Sequence, residues 1–256
     1  MKSARMVWVL PVVAALLLPH SLSAQWKTPW TYEGKTGAEH WGELDPAYAL
    51  CNTGKEQSPV DIQNAEKADL PPLRFEYTSG PLKHLINNGY AIRVNYHDDS
   101  DSKNYLLVGG TRYQLTQFHF HHPSEEYVDG KPYVMAVHLM HQSSDGKIAG
   151  VTVFLRAGKS NPTIQKIWEH MPATKGNEID IPGVEINPAD LLPTATAYYM
   201  YMGSLTAPPC TEGVTWFVLK NPVDISPEQI SAFAKLYPHD VRPIQPLNGR
   251  IVKESP

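Results

Sequence analysis

Hydrophobic and polar residues alternate along several short stretches of the chain. Successive side chains of a β-strand point to opposite faces, so alternation with a period of two predicts a strand with one buried face. Stretches of this type occupy 91–96, 115–121, 133–140, 149–156 and 214–219. Clusters of the turn-forming residues Asn, Asp, Gly, Pro and Ser separate them, at 87–89, 97–101, 129–132 and 144–146. The pattern predicts a sheet of short strands.

Helix signals are few. Ser226 offers an N-cap, a proline follows it, and Gln229 can complete a capping box ahead of a helix over 230–236. The segment 161–171 is the second candidate. No internal repeat or linker interrupts the chain after Trp26. Frequent turns and little helix therefore predict a mainly β fold with a few short helices, formed by a single domain on a mostly antiparallel sheet.

Composition supports a globular protein and excludes several classes. The chain has 256 residues, of which 42% are hydrophobic and 19% charged, unlike disordered, collagenous or coiled-coil proteins. Its net charge of −4 provides no basic surplus for nucleic acid or an anionic membrane.

The first 24 residues have the pattern of an export signal. Lys2 and Arg5 precede an apolar run over 6–18, and small residues lead to a cleavage site after Ala24. The run is too short to span a hydrocarbon core of roughly 30 Å. We therefore expect a signal peptide at 1–24, one domain at 25–256, no transmembrane segment, and a periplasmic or secreted location.

Two cysteines, Cys51 and Cys210, fit an oxidising compartment. An even pair in an exported chain predicts a disulfide, and two buried free thiols are the alternative. On the chain-entropy model, closing so long a loop stabilises the fold by roughly 4–5 kcal/mol.

The stretch 115–121 carries the candidate chemistry. Alternation places Gln117, His119 and His121 on one face and the two phenylalanines on the other. Two imidazoles at i and i+2 can share a metal ion, although His-x-His is a weak signal in a chain with 11 histidines.

A third candidate ligand, His138, lies on the next predicted strand, which an antiparallel return can bring beside the first two histidines. His122 and His141 point away from their neighbours in this set. Three neutral imidazoles with an open position are the ligand set of a catalytic zinc site. The alternative is three ordinary histidines without a metal.

Several motifs, in order along nearly the whole mature chain, resemble the α-class carbonic anhydrases of the bacterial, secreted or periplasmic type. They are WTY at 30–32, EHW at 39–41, GKEQSPVDI at 54–62, NNG at 87–89, QFHFH at 117–121, HLMH at 138–141, YYMYMGSLTAPPCTEGVTW at 198–216 and RPIQPLNGR at 242–250. The positions of Cys51 and Cys210 also match a disulfide of secreted members.

The resemblance implies a single domain on a central, twisted, mainly antiparallel sheet. Zn²⁺ would be held by His119, His121 and His138 at the foot of a cleft. The reaction would be the reversible hydration of CO2 to bicarbonate and a proton through a zinc-bound hydroxide. The resemblance leaves the oligomeric state open, with a homodimer as one option.

Further roles follow from family position. Thr206 would accept the hydrogen bond of the hydroxide and donate its own proton to Glu125, and Gln117 would accept a hydrogen bond from His119. The alternative for Thr206 is an ordinary turn threonine, and the alternative for Glu125 is a solvated carboxylate. Glu126 is a second glutamate at the next position. The apolar wall that binds CO2, together with Thr206, would be formed by Leu205, Met140 and Trp216.

Some positions depart from the family pattern. Ala136 stands where a glutamate usually bonds the third histidine, so we expect His138 to lack its orienting partner and zinc to be held less tightly. Tyr90 stands where fast members have a proton-shuttling histidine, with Tyr32 and a water chain as the alternative relay. Ala207 and Gly150 are expected to open space near the metal.

Two functions from other classes compete with the enzyme hypothesis. One is a non-catalytic binding or storage protein on the same fold, and the other is a zinc hydrolase that acts on esters. Assays of CO2 hydration and ester hydrolysis distinguish them.

Overall fold

The computed structural model describes residues 28–97 and 103–256, so the predicted signal peptide at 1–24 lies outside the described residues. The strands of the described part are β1 (Asp61–Ile62), β2 (Glu66–Lys67), β3 (Arg74–Glu76), β4 (Gly80–Pro81), β5 (Leu85–Asn87), β6 (Ile92–Asn95), β7 (Tyr105–Val108), β8 (Thr111–His121), β9 (Tyr127–Val128), β10 (Lys131–Pro132), β11 (Met135–Ser143), β12 (Ile148–Ala157), β13 (Glu185–Ile186), β14 (Tyr198–Ser204), β15 (Glu212–Leu219), β16 (Val223–Ile225) and β17 (Lys253–Glu254). Each of the five strands predicted from the sequence overlaps one of them.

One large sheet dominates the architecture. Its strands run in the order β2-β17-β14-β15-β12-β11-β8-β6-β5, with β7 also pairing β8 and with β3 on β7. Most of its pairs are antiparallel, as predicted, while β12 pairs β15 and β16 in parallel and β17 pairs β2 in parallel. The parallel pairs make the sheet mixed, because strands far apart in the chain return in the same direction.

The helices are short. They are α1 (Trp41–Leu44), α2 (Leu50–Thr53), α3 (Pro162–Trp168) and α4 (Pro227–Ala234), with 3-10 turns at Gly34–Thr36, Pro46–Tyr48 and Pro188–Leu191. Side-chain caps begin α3 and α4, where Asn161 accepts from two backbone N–H groups and Ser226 forms the predicted capping box with Gln229. Among the described residues, no helix combines the length and apolar character needed to cross a membrane.

The two faces of β8 have different environments. Phe118 and Phe120 are fully buried in the main hydrophobic core, where the Phe120 ring lies 4.6 Å from Trp168 of α3. Burying a phenylalanine side chain contributes about 1.5–3 kcal/mol, so this face fixes the strand in place. The opposite face turns Gln117, His119 and His121 toward a cleft, as the alternation predicted.

Candidate metal centre

Three histidines from two neighbouring strands meet at the floor of a cleft. His119 and His121 lie on β8, and the antiparallel register places His138 of β11 opposite His119. The ring centroids of His119 and His121 are 4.8 Å apart, and that of His138 is 5.4 Å from the first and 4.7 Å from the second. One ring nitrogen of each lies within 4.8 Å of the others. The three imidazoles can therefore converge on one ion.

Hydrogen bonds select the nitrogen that each ring turns to the cleft. Nδ1 of His119 bonds Oε1 of Gln117 at 2.8 Å, and Nδ1 of His121 bonds the carbonyl oxygen of Asp240 at 2.7 Å. His138 is reversed, because its Nε2 bonds Oε2 of Glu126 at 3.1 Å. The free positions are thus Nε2 of the first two histidines and Nδ1 of the third.

Two of these rings have the protonation state that a metal ligand needs, and two present buried nitrogens without a partner. Burial, followed by the neighbouring imidazoles, lowers the pKa of both His119 and His121 well below 6.5, so both rings are neutral, as metal ligands must be. Nε2 of His121 and Nδ1 of His138 are buried without a hydrogen-bond partner. Buried polar atoms are rarely left unpaired in native proteins. A bound cation would satisfy both.

Glu126 overturns the expectation drawn from Ala136. The sequence predicted that His138 lacks its orienting carboxylate, but Glu126 supplies one from the segment that follows β8. Its second oxygen accepts from the Thr152 hydroxyl at 3.1 Å, and the whole side chain is buried. Burial opposes a charge on His138, but the charge and hydrogen bond of Glu126 outweigh it and raise the pKa of His138. The two adjacent glutamates were the only sequence signal of this arrangement.

Glu125, the neighbour of Glu126, faces the other edge of the same ring. Its Oε2 lies 3.8 Å from Nδ1 of His138 and 3.4 Å from Nε2 of His121. Thr206 interacts with the Glu125 carboxyl and stabilises its charged form. The backbone N–H of Arg242 donates to Oε1 at 2.9 Å, and Oε2 is buried without a hydrogen-bond partner. Burial raises the pKa of Glu125 to about 7 against the lowering effect of these partners.

Arg242 also joins distant parts of the chain behind the site. Its guanidinium donates to Oε1 of Gln57 and to the carbonyl oxygens of Ser58 and Cys51, each at 2.8 Å. Cys51 and Cys210 form a disulfide with a Cα–Cα distance of 5.0 Å. The hydrogen bonds of Arg242 and the disulfide together connect the segment that contains α2 to the loop that follows Thr206.

The cleft above the histidines has a volume of about 180 Å³ and one apolar wall. Met140, Leu205, Trp216 and Ala207 line it. Gly150 does not open space at the metal, contrary to expectation. It is paired with Trp216 in the register, and a Cβ at this glycine would lie 2.6 Å from the indole ring. The Trp216 ring fills the volume that Gly150 leaves.

Aromatic residues form the rim. The Tyr90 ring stacks on Trp30 with the centroids 4.0 Å apart, and Tyr32 meets the same indole edge-on at 5.2 Å. Both tyrosines line the cleft. Burial, followed by the charge of Glu125, raises the pKa of Tyr32 well above 10, so its phenol stays protonated.

Arg93 is a cleft residue that the sequence analysis missed. It lies on β6 opposite His119, and its Nε is buried without a hydrogen-bond partner. Burial lowers its pKa, partly offset by the charge of Glu178. Alternation over 91–96 places Arg93 on the face opposite Ile92 and Val94, which was the available signal.

Comparison with known proteins yields consistent matches over most of the chain. A family model described as eukaryotic-type carbonic anhydrase matches residues 36–256. A carbonic anhydrase of Nostoc sp. is 44% identical over 231 residues, which cover 88% of this chain and 86% of that protein.

Solved structures agree in fold. The α-carbonic anhydrase from Thermovibrio ammonificans, in complex with the inhibitor sulfanilamide, has a TM-score of 0.83 and 43% identity over 88% of this chain and 99% of its own. Dioscorin complexed with ascorbate has a TM-score of 0.80 and 31% identity over 88% of this chain and 97% of its own.

Proposed function

The chain belongs to the eukaryotic-type (α) carbonic anhydrase family, and we propose that it hydrates CO2 reversibly to bicarbonate and a proton, with zinc held by His119, His121 and His138. Named carbonic anhydrases among its relatives make it an enzyme of this kind. The observation that carries the zinc proposal is the pair of buried, unpaired ring nitrogens on His121 and His138. Together with the neutral His119, they form an open three-imidazole site.

Zinc in such a site supplies a nucleophile at neutral pH, since in carbonic anhydrases it lowers the pKa of a coordinated water to about 7. The protein orients the ligands. Gln117, the Asp240 carbonyl and Glu126 each bond one ring nitrogen, which leaves the other nitrogen of each ring for the ion that these histidines would hold. Such outer partners fix the tautomer and direction of each ring.

Thr206 is proposed to orient the attacking oxygen. In this proposal its hydroxyl proton points to Glu125, whose charged form Thr206 stabilises and whose Oε1 accepts from the Arg242 N–H. The Thr206 oxygen can then only accept a hydrogen bond from the cleft side. An attacking O–H group would donate to it and turn a lone pair toward the substrate.

The apolar wall suits CO2. CO2 carries no net charge, so Met140, Leu205 and Trp216 can bind it without leaving a polar group unpaired. The indole N–H of Trp216 is already satisfied by the Ser204 carbonyl at 2.9 Å, so the ring presents only its apolar surface.

The proton released in the reaction must leave past the rim. Tyr90 and Tyr32 both line the cleft, and both contact the Trp30 ring. Because the Tyr32 phenol stays protonated, it can pass a proton only by accepting one as it gives up its own. We assign the relay to Tyr90 or to water held by these two phenols.

The disulfide supports a location outside the cytoplasm, where such bonds persist. A cleaved signal peptide at 1–24 and a periplasmic or secreted enzyme complete the proposal.

Stopped-flow CO2 hydration with the mature, zinc-loaded protein tests the function. We expect turnover in the wild type, a loss of both zinc and turnover in His119→Ala, and no change in His239→Ala, which alters an exposed histidine outside the cleft. A wild-type sample that contains zinc but does not hydrate CO2 would refute the proposal. The likeness to dioscorin, solved with ascorbate, would then favour a binding protein. Ester hydrolysis without CO2 hydration would favour a hydrolase.

A further inference from the structure

We propose a second metal site, for Zn²⁺ or a similar divalent transition ion, formed by His84, His97 and Glu178. None of the three lines the cleft, and the catalytic proposal makes no use of them. One ligand atom from each lies within 4.8 Å of the others. Imidazole nitrogens and a carboxylate oxygen are a common donor set for zinc.

The donors already converge on one point. Oε2 of Glu178 lies 3.2 Å from Nδ1 of His84 and 2.6 Å from Nε2 of His97. The two imidazole rings meet edge-on with their centroids 4.5 Å apart. Ligands of a tetrahedral zinc ion at about 2.0–2.1 Å lie roughly 3.3 Å from one another. The distance from His84 to the carboxylate already matches this spacing, whereas the His97 side chain, which is half exposed, must withdraw from the carboxylate to reach it.

Outer contacts hold two of the ligands in place. Asn95 donates from Nδ2 to Oε1 of Glu178 at 2.6 Å, which leaves Oε2 for the ion. The backbone N–H of His84 donates to Oδ1 of Asp180 at 3.0 Å, and the same oxygen lies 3.6 Å from Nδ1 of His84. Asp180 can thus complete the coordination, or water can.

The charge of the site favours a cation. Glu178 and Asp180 bring two carboxylates, and Arg93 of the cleft interacts electrostatically with Glu178. His84 and Glu178 are 22% and 29% exposed, so the site is partly shielded from water and still accessible.

The location suggests a structural role. His84 precedes β5 and His97 follows β6, and the Asn95 N–H bonds the His84 carbonyl, so the two histidines lie at the open end of this hairpin. The turn at its other end carries Tyr90 to the cleft rim. Glu178 belongs to the segment that pairs with β5 through Ile179. An ion here would fasten the hairpin to that segment and stabilise the native state by mass action.

Calorimetric titration of the holoenzyme with ZnCl2 alone tests the site. Starting with zinc in the cleft, we expect the wild type to bind a second equivalent and to gain thermal stability, and His97→Ala to lose both effects. His84→Asn is the second variant and should lose both effects as well. The backbone φ of His84 is 53°, in the left-handed region that asparagine tolerates, so the variant removes the imidazole without straining the backbone.

His239→Ala is the matched control. His239 is 51% exposed against 52% for His97, and it also faces a glutamate, Glu33, at 3.4 Å, but it is not part of a three-ligand group. We expect it to bind zinc as the wild type does. No second equivalent in the wild type, or one that persists in His97→Ala, would overturn the proposal. Binding at this site in His119→Ala would show that it is independent of the catalytic centre.

Discussion

Oε2 of Glu126 lies 3.1 Å from Nε2 of His138, twelve positions further along the chain, and both side chains are buried. Glu125 approaches the Nδ1 edge of the same ring at 3.8 Å. Adjacent residues of a strand would point to opposite faces, but both glutamates lie in the segment between β8 and β9. The His138 ring is therefore held between two consecutive carboxylates, one of which also meets Thr206.

Glu126→Ala should weaken zinc binding by about 10–100-fold, the usual effect of losing an outer-shell partner of a metal ligand. Glu126→Gln should have a smaller effect, because an amide oxygen can still accept the hydrogen bond from His138. Competition with a chromophoric chelator measures both. Glu169→Ala, at an exposed glutamate outside the cleft, is the control. Wild-type affinity in Glu126→Ala would contradict the assignment.

Gly150→Ala should destabilise the fold by about 1–3 kcal/mol, the usual cost of overpacking a core. The new methyl would meet the Trp216 ring at 2.6 Å in a strand that cannot move without disturbing its partners. Thermal unfolding measures the change. Gly80→Ala is the matched control, since a Cβ there has no neighbour within 4 Å. Equal melting temperatures for the two variants would refute this packing account.

Tyr90→His should raise kcat in dilute buffer, by up to about 100-fold if proton export limits turnover, because an imidazole titrates near neutral pH and a phenol does not. Stopped-flow hydration at increasing buffer concentration measures this, and the gain should vanish once buffer carries the proton. Tyr90→Phe is the control, because it keeps the stack on Trp30 and removes only the hydroxyl. A gain that persists in concentrated buffer would point to a different cause.

His141 should make the fold less stable in mild acid. Burial lowers its pKa to about 4, whereas the unfolded chain has the ordinary value of about 6.5. The unfolded state takes up the proton at a higher pH than the native state does. The contribution of His141 to the free energy of unfolding is therefore constant above about pH 6.5 and falls by up to about 3 kcal/mol as pH drops toward 4. Urea unfolding near pH 7.5 and near pH 5 measures the difference.

His141→Gln is the variant for this comparison. The His141 ring bonds the Tyr77 hydroxyl at 2.6 Å, and a glutamine oxygen can accept from that phenol, which burial keeps protonated. The variant should lose less stability between the two pH values than the wild type. An identical loss would assign the acid sensitivity to other groups.

Local pattern predicted five of the described strands, the two longer helices and the shared face of His119 and His121. The alternation around His119 and His121 placed both on one face, and the antiparallel return brought His138 opposite His119. The predicted cap at Ser226 acts on adjacent backbone groups, so its residue type is enough to predict it. The helix predicted to extend to residue 236 ends at Ala234, within the usual uncertainty of a helix end.

Contacts between distant segments could not be predicted in this way. Glu126, the hydrogen-bond partner of His138, comes from the segment that follows β8. The fit of Gly150 to Trp216 depends on the parallel pairing of β12 with β15. The group of His84, His97 and Glu178 joins the two ends of a hairpin to a segment about 80 positions later. Such proximity follows from topology, which period-two patterns do not encode.

Arg242 has a consequence for the order in which the enzyme matures. Its partners Cys51, Gln57, Ser58 and Glu125 precede it by 117 to 191 positions, so the support behind Thr206 forms only when the C-terminal segment is present. Contacts of such long range form late, because loop closure must precede them. In a chain synthesised from its N-terminus, the carboxyl group beside Thr206 would be held in position only after Arg242 had been made. The enzyme would thus stay inactive until that late segment had joined the fold.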